Sequence, residues 1–177
     1  MQIKFAYSFA SCGGSLINNE TVLSAAHCFV NPDFGLLEHV EIYLGEYNIQ
    51  NVTRDSVTVH PLYNPATHIH DIAKVHLDPG IDWAAHPELG PVCLPETSTD
   101  YTGYNATATG YNSTATAEWW TGPARPAAIL QEMEAEIISR DECIRDLEPY
   151  NISQYVHPST ICAKADIARV CKGSDNY

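Results

Sequence analysis

Short strand-like segments separated by turn residues run through almost the whole chain, and they limit the possible folds more than any other feature. Turn-forming stretches such as Asn31-Pro32-Asp33 and Asp78-Pro79-Gly80 divide the segments. Strands this short, roughly ten to fifteen residues apart, predict an antiparallel barrel or sandwich, an all-β fold. The predicted strands are Gln2–Phe9, Gly14–Ile17, Thr21–Ser24, Val40–Leu44, Ser56–His60, Ile72–Leu77, Thr107–Gly110 and Ala135–Ile138.

One helix and one connector interrupt the strand pattern. Ser139–Leu147 is predicted to be a short helix, because Ser139 can cap it and Glu142, three residues on, completes a capping box. The proline-bracketed stretch from Pro87 to Pro95 is the candidate crossing between two parts of the chain. The chain has 177 residues, 45% of them hydrophobic, which is enough for one ordinary domain or two small packed barrels.

Sequons for N-glycosylation indicate the compartment. There are five, where roughly one or two would be expected by chance, and they lie at Asn19, Asn51, Asn105, Asn112 and Asn151. The six cysteines contain no Cys-x-x-Cys pair, so zinc is a poor explanation for them, although the residues alone leave both disulfides and metal open. We expect a secreted, extracellular glycoprotein, although the residues after Met1 do not form a signal peptide.

Charge narrows the range of partners. Twenty-two acidic residues against nine basic ones give a net charge of −13. Nucleic acids and anionic membranes both require a basic face, so we expect neither as a partner. No stretch approaches the length of a membrane span.

Two motifs carry a family resemblance. Cys12-Gly-Gly-Ser-Leu-Ile is followed by Ser24-Ala-Ala-His27-Cys28, and Asp71-Ile-Ala-Lys-Val-His-Leu comes 44 residues after His27. This order and spacing resemble the trypsin-like (chymotrypsin) serine proteases. The resemblance implies that His27 is a general base, a role that suits histidine because its ordinary pKa lies near neutrality, and that Asp71 fixes its tautomer.

The resemblance extends over most of the chain and implies an architecture. It predicts two packed antiparallel six-stranded Greek-key barrels, with residues 1–90 in the first and 91–177 in an incomplete second. We expect the first barrel to lack its start, and the second to lack its C-terminal strands and helix. It also implies the disulfide pairs Cys12–Cys28 and Cys143–Cys162, with Cys93 and Cys171 left without partners in this chain.

The family pattern breaks at the nucleophile. Where the family has Cys-x-Gly-Asp-Ser-Gly-Gly-Pro, this chain has Cys171-Lys-Gly-Ser-Asp-Asn-Tyr, which places Asp175 at the serine position. Ser174 is one residue early, about 3.8 Å away along the chain, and a displacement of about 1 Å already harms catalysis. Gly173 matches an oxyanion-hole donor, and Arg169 matches the floor of the specificity pocket, where it gives no support for a Lys or Arg preference.

Several functional interpretations remain open from the sequence. The first is a serine endopeptidase acting on protein or peptide substrates, represented by a chain that is itself inactive. The alternatives are a non-catalytic homologue that binds or regulates extracellular partners, and a truncated gene product. His68-Ile-His70-Asp71 could hold a metal ion if both histidines lay on one strand face, but no fourth ligand is evident, and we predict no metal and no cofactor.

Overall fold

The computed structural model of the protein describes residues 1–30, 35–44, 47–110 and 131–165. It is mostly β, with antiparallel strands and one α-helix, and it divides into two units, Met1–Thr99 and a second that begins at Asp100. The strands are β1 Gln2–Phe5, β2 Phe9–Ser11, β3 Ser15–Asn18, β4 Thr21–Ser24, β5 Leu37–Leu44, β6 Tyr47–Thr53, β7 Val57–Val59, β8 Ala73–His76, β9 Asn105–Gly110, β10 Gln131–Ile138 and β11 Cys162–Lys164, and the helix is α1 Arg140–Leu147.

The first unit contains two four-stranded antiparallel sheets. Their strand orders are β2-β1-β5-β6 and β3-β4-β8-β7. Alternation places the apolar side chains of each strand on one face, as in β8, where Ala73 and Val75 are buried while Lys74 and His76 are exposed. Burial of such residues is the main driving force for folding, and it sets which face of each strand is turned away from solvent.

One apolar cluster joins these two sheets. Ile3 and Val40 from the first sheet and Val22 and Val75 from the second are at most 1% exposed. The buried members of the cluster are Ile3, Phe5, Leu16, Val22, Ala25, Cys28, Phe29, Val40, Ile42, Val52, Ala73, Val75, Leu77 and Ile81. Cys28 and Phe29 belong to this cluster, so the segment that carries His27 rests directly on the core.

The second unit is built on a three-stranded antiparallel sheet in the order β11-β10-β9. The helix α1 lies between β10 and β11 in the chain. The hydroxyl oxygen of Ser139 accepts a hydrogen bond from the backbone N–H of Glu142 at 3.2 Å, which satisfies one of the unpaired N–H groups of the first helical turn. The predicted helix and its N-cap are therefore present. No helix in the described part of the chain has the length and apolar character needed to cross a membrane.

The prediction of one continuous strand over Gln2–Phe9 was wrong, because the chain turns back after Phe5 and β2 begins at Phe9. The backbone N–H of Phe5 donates to the carbonyl of Ser8 at 2.9 Å and closes a tight turn, after which β2 pairs back on β1. The strands β6 and β11 were not predicted, since Asn-rich and short sequences lack a strand pattern. The described strands form sheets of four, four and three strands, and closed six-stranded barrels stay a prediction.

Candidate active site

The pairing of β4 with β8 brings two distant parts of the sequence to one place. Ser24, the last residue of β4, lies opposite Ala73, the first residue of β8. In an antiparallel pair the chain that leaves one strand is next to the chain that enters the other. His27 follows β4 and Asp71 precedes β8, so this register places both residues beyond the same end of the sheet.

The turn that carries His27 is fixed from several sides. Ser24 is buried and its hydroxyl donates a hydrogen bond to the carbonyl of Gly13 at 2.8 Å. Ala25 and Ala26 are fully buried, and a disulfide joins Cys12 to Cys28. Closing a loop of this size is worth about 3 kcal/mol in the chain-entropy model. These contacts explain why the Ala-Ala-His-Cys sequence holds its histidine in one orientation.

His27 and Asp71 make two hydrogen bonds to each other. The backbone N–H of His27 donates to Asp71 Oδ1 at 2.7 Å, and Nδ1 of the ring lies 2.7 Å from Asp71 Oδ2. An ionised carboxylate can only accept, so Nδ1 carries the proton and donates it, which leaves the lone pair on Nε2. A histidine in this tautomer can take a proton at Nε2, as a general base must.

The surroundings keep Asp71 ionised. Burial raises the pKa of this carboxyl, but the hydrogen bonds from the side chain and backbone of His27, with the nearby charges of His27 and His68, outweigh it and hold the pKa below its usual value. Tyr63 responds in the opposite direction. Burial and the negative charge of Asp71 raise the pKa of Tyr63 to about 12. The acceptor of the His27 proton is therefore a carboxylate at neutral pH.

A second histidine approaches the same carboxylate. His68 Nδ1 lies 3.7 Å from Asp71 Oδ2, and its ring centroid is 6.0 Å from that of His27. The alternative in which His68 and His70 share a strand face is not formed: both have left-handed backbones, with φ of 54° and 58°, and neither belongs to a strand. His70 instead stacks on His60 at 4.7 Å. The sequence grouped His68 with Asp71 only as possible metal ligands, and it did not place His68 beside His27.

The structure places some of the other predicted residues. Cys143 and Cys162 form a disulfide in the second unit, and Cys93 is an exposed free thiol. Among the glycosylation candidates, Asn105 and Asn151 are exposed, Asn19 is half-buried in the turn between β3 and β4, and Asn51 lies in β6. Asn112, Arg169, Cys171, Gly173, Ser174 and Asp175 lie outside the described residues.

A mostly β fold with an antiparallel register brings a half-buried aspartate to a histidine. This arrangement defines the general base and the positioning residue of a chymotrypsin-type serine-protease site. The comparisons with known proteins agree. The family model described as Trypsin matches residues 1–174. The chain therefore belongs to the trypsin family of serine proteases.

Curated relatives and solved structures give the same result. Serine protease 7 of Drosophila melanogaster is 33% identical over 90% of this chain and 43% of its own length. The serine proteinase stubble of the same fly is 35% identical over 75% of this chain and 16% of its own length. The structure of a scabies mite inactivated protease paralogue, S-D1, matches 99% of this chain and 72% of that one, with a TM-score of 0.69 and 17% identity. This chain thus spans less than half the length of these two curated relatives.

Proposed function

We propose that the chain is a trypsin-like serine-protease homologue whose first unit retains a working general base. The observation that carries this is the pair of 2.7 Å contacts between His27 and the two carboxylate oxygens of Asp71. His27 Nε2 accepts a proton from a hydroxyl, and Asp71 acts as the positioning residue that fixes the tautomer and stabilises the imidazolium.

The same proposal holds that these 177 residues do not hydrolyse peptide bonds. The family alignment puts Asp175 where a nucleophilic serine belongs, and a carboxylate there places negative charge beside the N–H of Gly173, which would serve the oxyanion. Arg169, at the position of the pocket floor, gives no support for basic substrates. The chain then acts by binding proteins or peptides through a protease-like surface.

The alternative is that this chain represents a serine endopeptidase acting on protein or peptide substrates. In that case the nucleophile of the active protein is not among these 177 residues. The retained base supports this alternative, and Asp175 supports the non-catalytic one. Both share the proposed architecture of two six-stranded barrels, residues 1–90 and 91–177, the second incomplete. Both also share an extracellular location, for which the five sequons and the two disulfides are the support.

Labelling with a serine-directed fluorophosphonate tests the proposal on the full chain. We expect no covalent labelling under conditions in which an active trypsin reacts stoichiometrically. Stoichiometric labelling of the native chain that disappears in both Ser174→Ala and His27→Gln would contradict it, because it would show that His27 activates Ser174. A second measurement is capture of proteins from extracellular fluid on the immobilised chain. Capture by the native chain that is lost in His27→Gln would support the binding function.

A further inference from the structure

Three potential metal ligands converge on one side of the candidate site. His27, His68 and Asp71 each offer a ligand atom, and the three atoms lie within 4.8 Å of one another. Asp71 Oδ2 is the common point, at 2.7 Å from His27 Nδ1 and 3.7 Å from His68 Nδ1. The other carboxylate oxygen, Oδ1, accepts the His27 backbone N–H and so anchors the carboxylate in its present orientation.

From the sequence we predicted no metal, because no fourth ligand was evident beside His68, His70 and Asp71. The structure adds His27, 41 residues before His68, to this group. We now propose that His27, His68 and Asp71 form a zinc site, with water in the fourth position. Two imidazoles and one carboxylate form a ligand set that suits Zn²⁺, and three protein ligands with one open position make a typical open zinc site. Cys12 and Cys28, which also lie beside His27, are joined in a disulfide and do not contribute.

The distances are close to those that zinc requires. Ligand atoms about 2.0–2.1 Å from a tetrahedral zinc ion are about 3.3–3.4 Å from each other. The two separations at Asp71 Oδ2, 2.7 and 3.7 Å, fall on either side of this value. Zinc binding therefore requires the His27–Asp71 contact to lengthen by about 0.6 Å, as the bridging proton is replaced by the ion. It also requires His68 to move closer, and its side chain is 59% exposed and has room to turn.

The backbone supports the placement of His68. His68 has a φ of 54°, a left-handed conformation that non-glycine residues seldom adopt. The hydrogen bond that the His27 backbone N–H donates to Asp71 Oδ1 is the kind of outer contact that orients a metal-binding carboxylate. Asp71 and His27 are therefore held by contacts that do not depend on the metal, whereas the His68 side chain is free to adjust.

Zinc at this site has a definite consequence for the histidine. Coordination through Nδ1 replaces the proton that His27 shares with Asp71, so that zinc and this proton exclude each other. His27 can therefore bind zinc or hold the general-base tautomer, but not both at once. This inference goes beyond the proposed function, and zinc binding can be measured without any substrate.

The test is isothermal titration with Zn²⁺ of the full chain carrying Cys93→Ser and Cys171→Ser, since free thiols also bind zinc. We expect one equivalent to bind, with an affinity that falls at least tenfold in His68→Gln. His86→Gln is the matched control, because His86 also faces a carboxylate, Glu88, at 3.4 Å. No third ligand joins this pair among the residues that the structure describes, so binding should not change. No stoichiometric binding in the parent, or equal affinity in parent and His68→Gln, would overturn the proposal.

A second measurement locates the ion. In proton NMR, the Nδ1–H resonance of His27 should disappear as zinc is added to the parent, and should persist at the same zinc concentration in His68→Gln. If the resonance survives saturation with one bound zinc ion, the ion sits elsewhere and the proposal is wrong. Neither outcome depends on fluorophosphonate labelling, so failure here leaves the proposed function in place.

Discussion

The two units reach order by different means. Among the described residues of the first, fourteen are buried in one cluster between two sheets. Among the described residues of the second, Ala135, Cys143 and Val156 are the buried apolar ones. Each unit contains a disulfide, and a cross-link contributes a larger share of the stability where fewer apolar residues are buried. The difference teaches why the His27–Asp71 pair is well placed: both residues border a region that the core itself holds together.

The largest predicted effect is on the core of the first unit. Phe5 is 2% exposed, and Phe5→Ala should lower the free energy of unfolding of that unit by about 3–5 kcal/mol. Tyr7→Ala, two residues along at an 85% exposed position, should change it by less than about 0.5 kcal/mol. Val156→Ala in the second unit removes two methyl groups and should cost about 1–2 kcal/mol. Urea denaturation followed by residue-resolved NMR measures all three, and equal costs for Phe5→Ala and Val156→Ala would break the comparison.

The disulfides come next. Replacing Cys143 and Cys162 by serine opens a loop with a sequence separation of 19, which is worth about 3 kcal/mol and should unfold the second unit. The same change at Cys12 and Cys28 should leave the first unit folded, because its apolar cluster remains. Amide hydrogen exchange at Ile137 and Leu16 reports on the two units. If removal of each unit's disulfide abolishes exchange protection at Leu16 but not at Ile137, the first unit depends on its disulfide and the second does not, which is the opposite of the prediction.

A smaller effect is expected at the helix of the second unit. Ser139→Ala removes the acceptor for the Glu142 N–H and should cost about 1 kcal/mol, in the range 0.5–2. Ser139→Asp keeps an acceptor and should stay within a few tenths of a kcal/mol of the native chain. Thermal denaturation of the three proteins measures the difference. If Ser139→Asp is as destabilised as Ser139→Ala, the cap is not what matters at this position.

The smallest effect concerns two surface carboxyls, one in each unit. The hydrogen bond and charge of Lys4, 2.8 Å away, lower the pKa of Glu38, whereas hydrogen bonds from Thr102 lower that of Asp100. Each depressed pKa adds stability that is present above the unfolded-state pKa and is lost as the pH falls through the folded-state value. Salt at 1 M shortens the screening length from about 10 to about 3 Å, so the pKa of Glu38 should rise towards 4.5 while that of Asp100 moves less.

An NMR pH titration of both carboxyls at low and high salt makes this measurement. Lys4→Met should remove the salt response of Glu38 and leave Asp100 as it was. A pKa of Asp100 that rises with salt as much as that of Glu38 would show that the two groups are held by the same kind of interaction.

How much the sequence predicted depends on the range of the interaction. The Ser139 cap and strand β4 were predicted because their signals are local, a capping residue and a run of branched side chains. Strand β6 was missed because Asn-rich Tyr47–Thr53 becomes a strand through its pairing with β5. At the site, His27 and Asp71 were found by their motif, whereas the approach of His68 to Asp71 depends on a left-handed backbone that no local pattern specifies.

The central claim is that the fold of the first unit holds His27 in the general-base tautomer. Proton NMR of the full chain, in metal-free buffer, tests it most directly. We predict one His27 Nδ1–H resonance far downfield of the amide protons, absent in His27→Gln and in Asp71→Ala and retained in His68→Gln. A native chain without this resonance, or an Asp71→Ala variant that keeps it unchanged, would contradict the account.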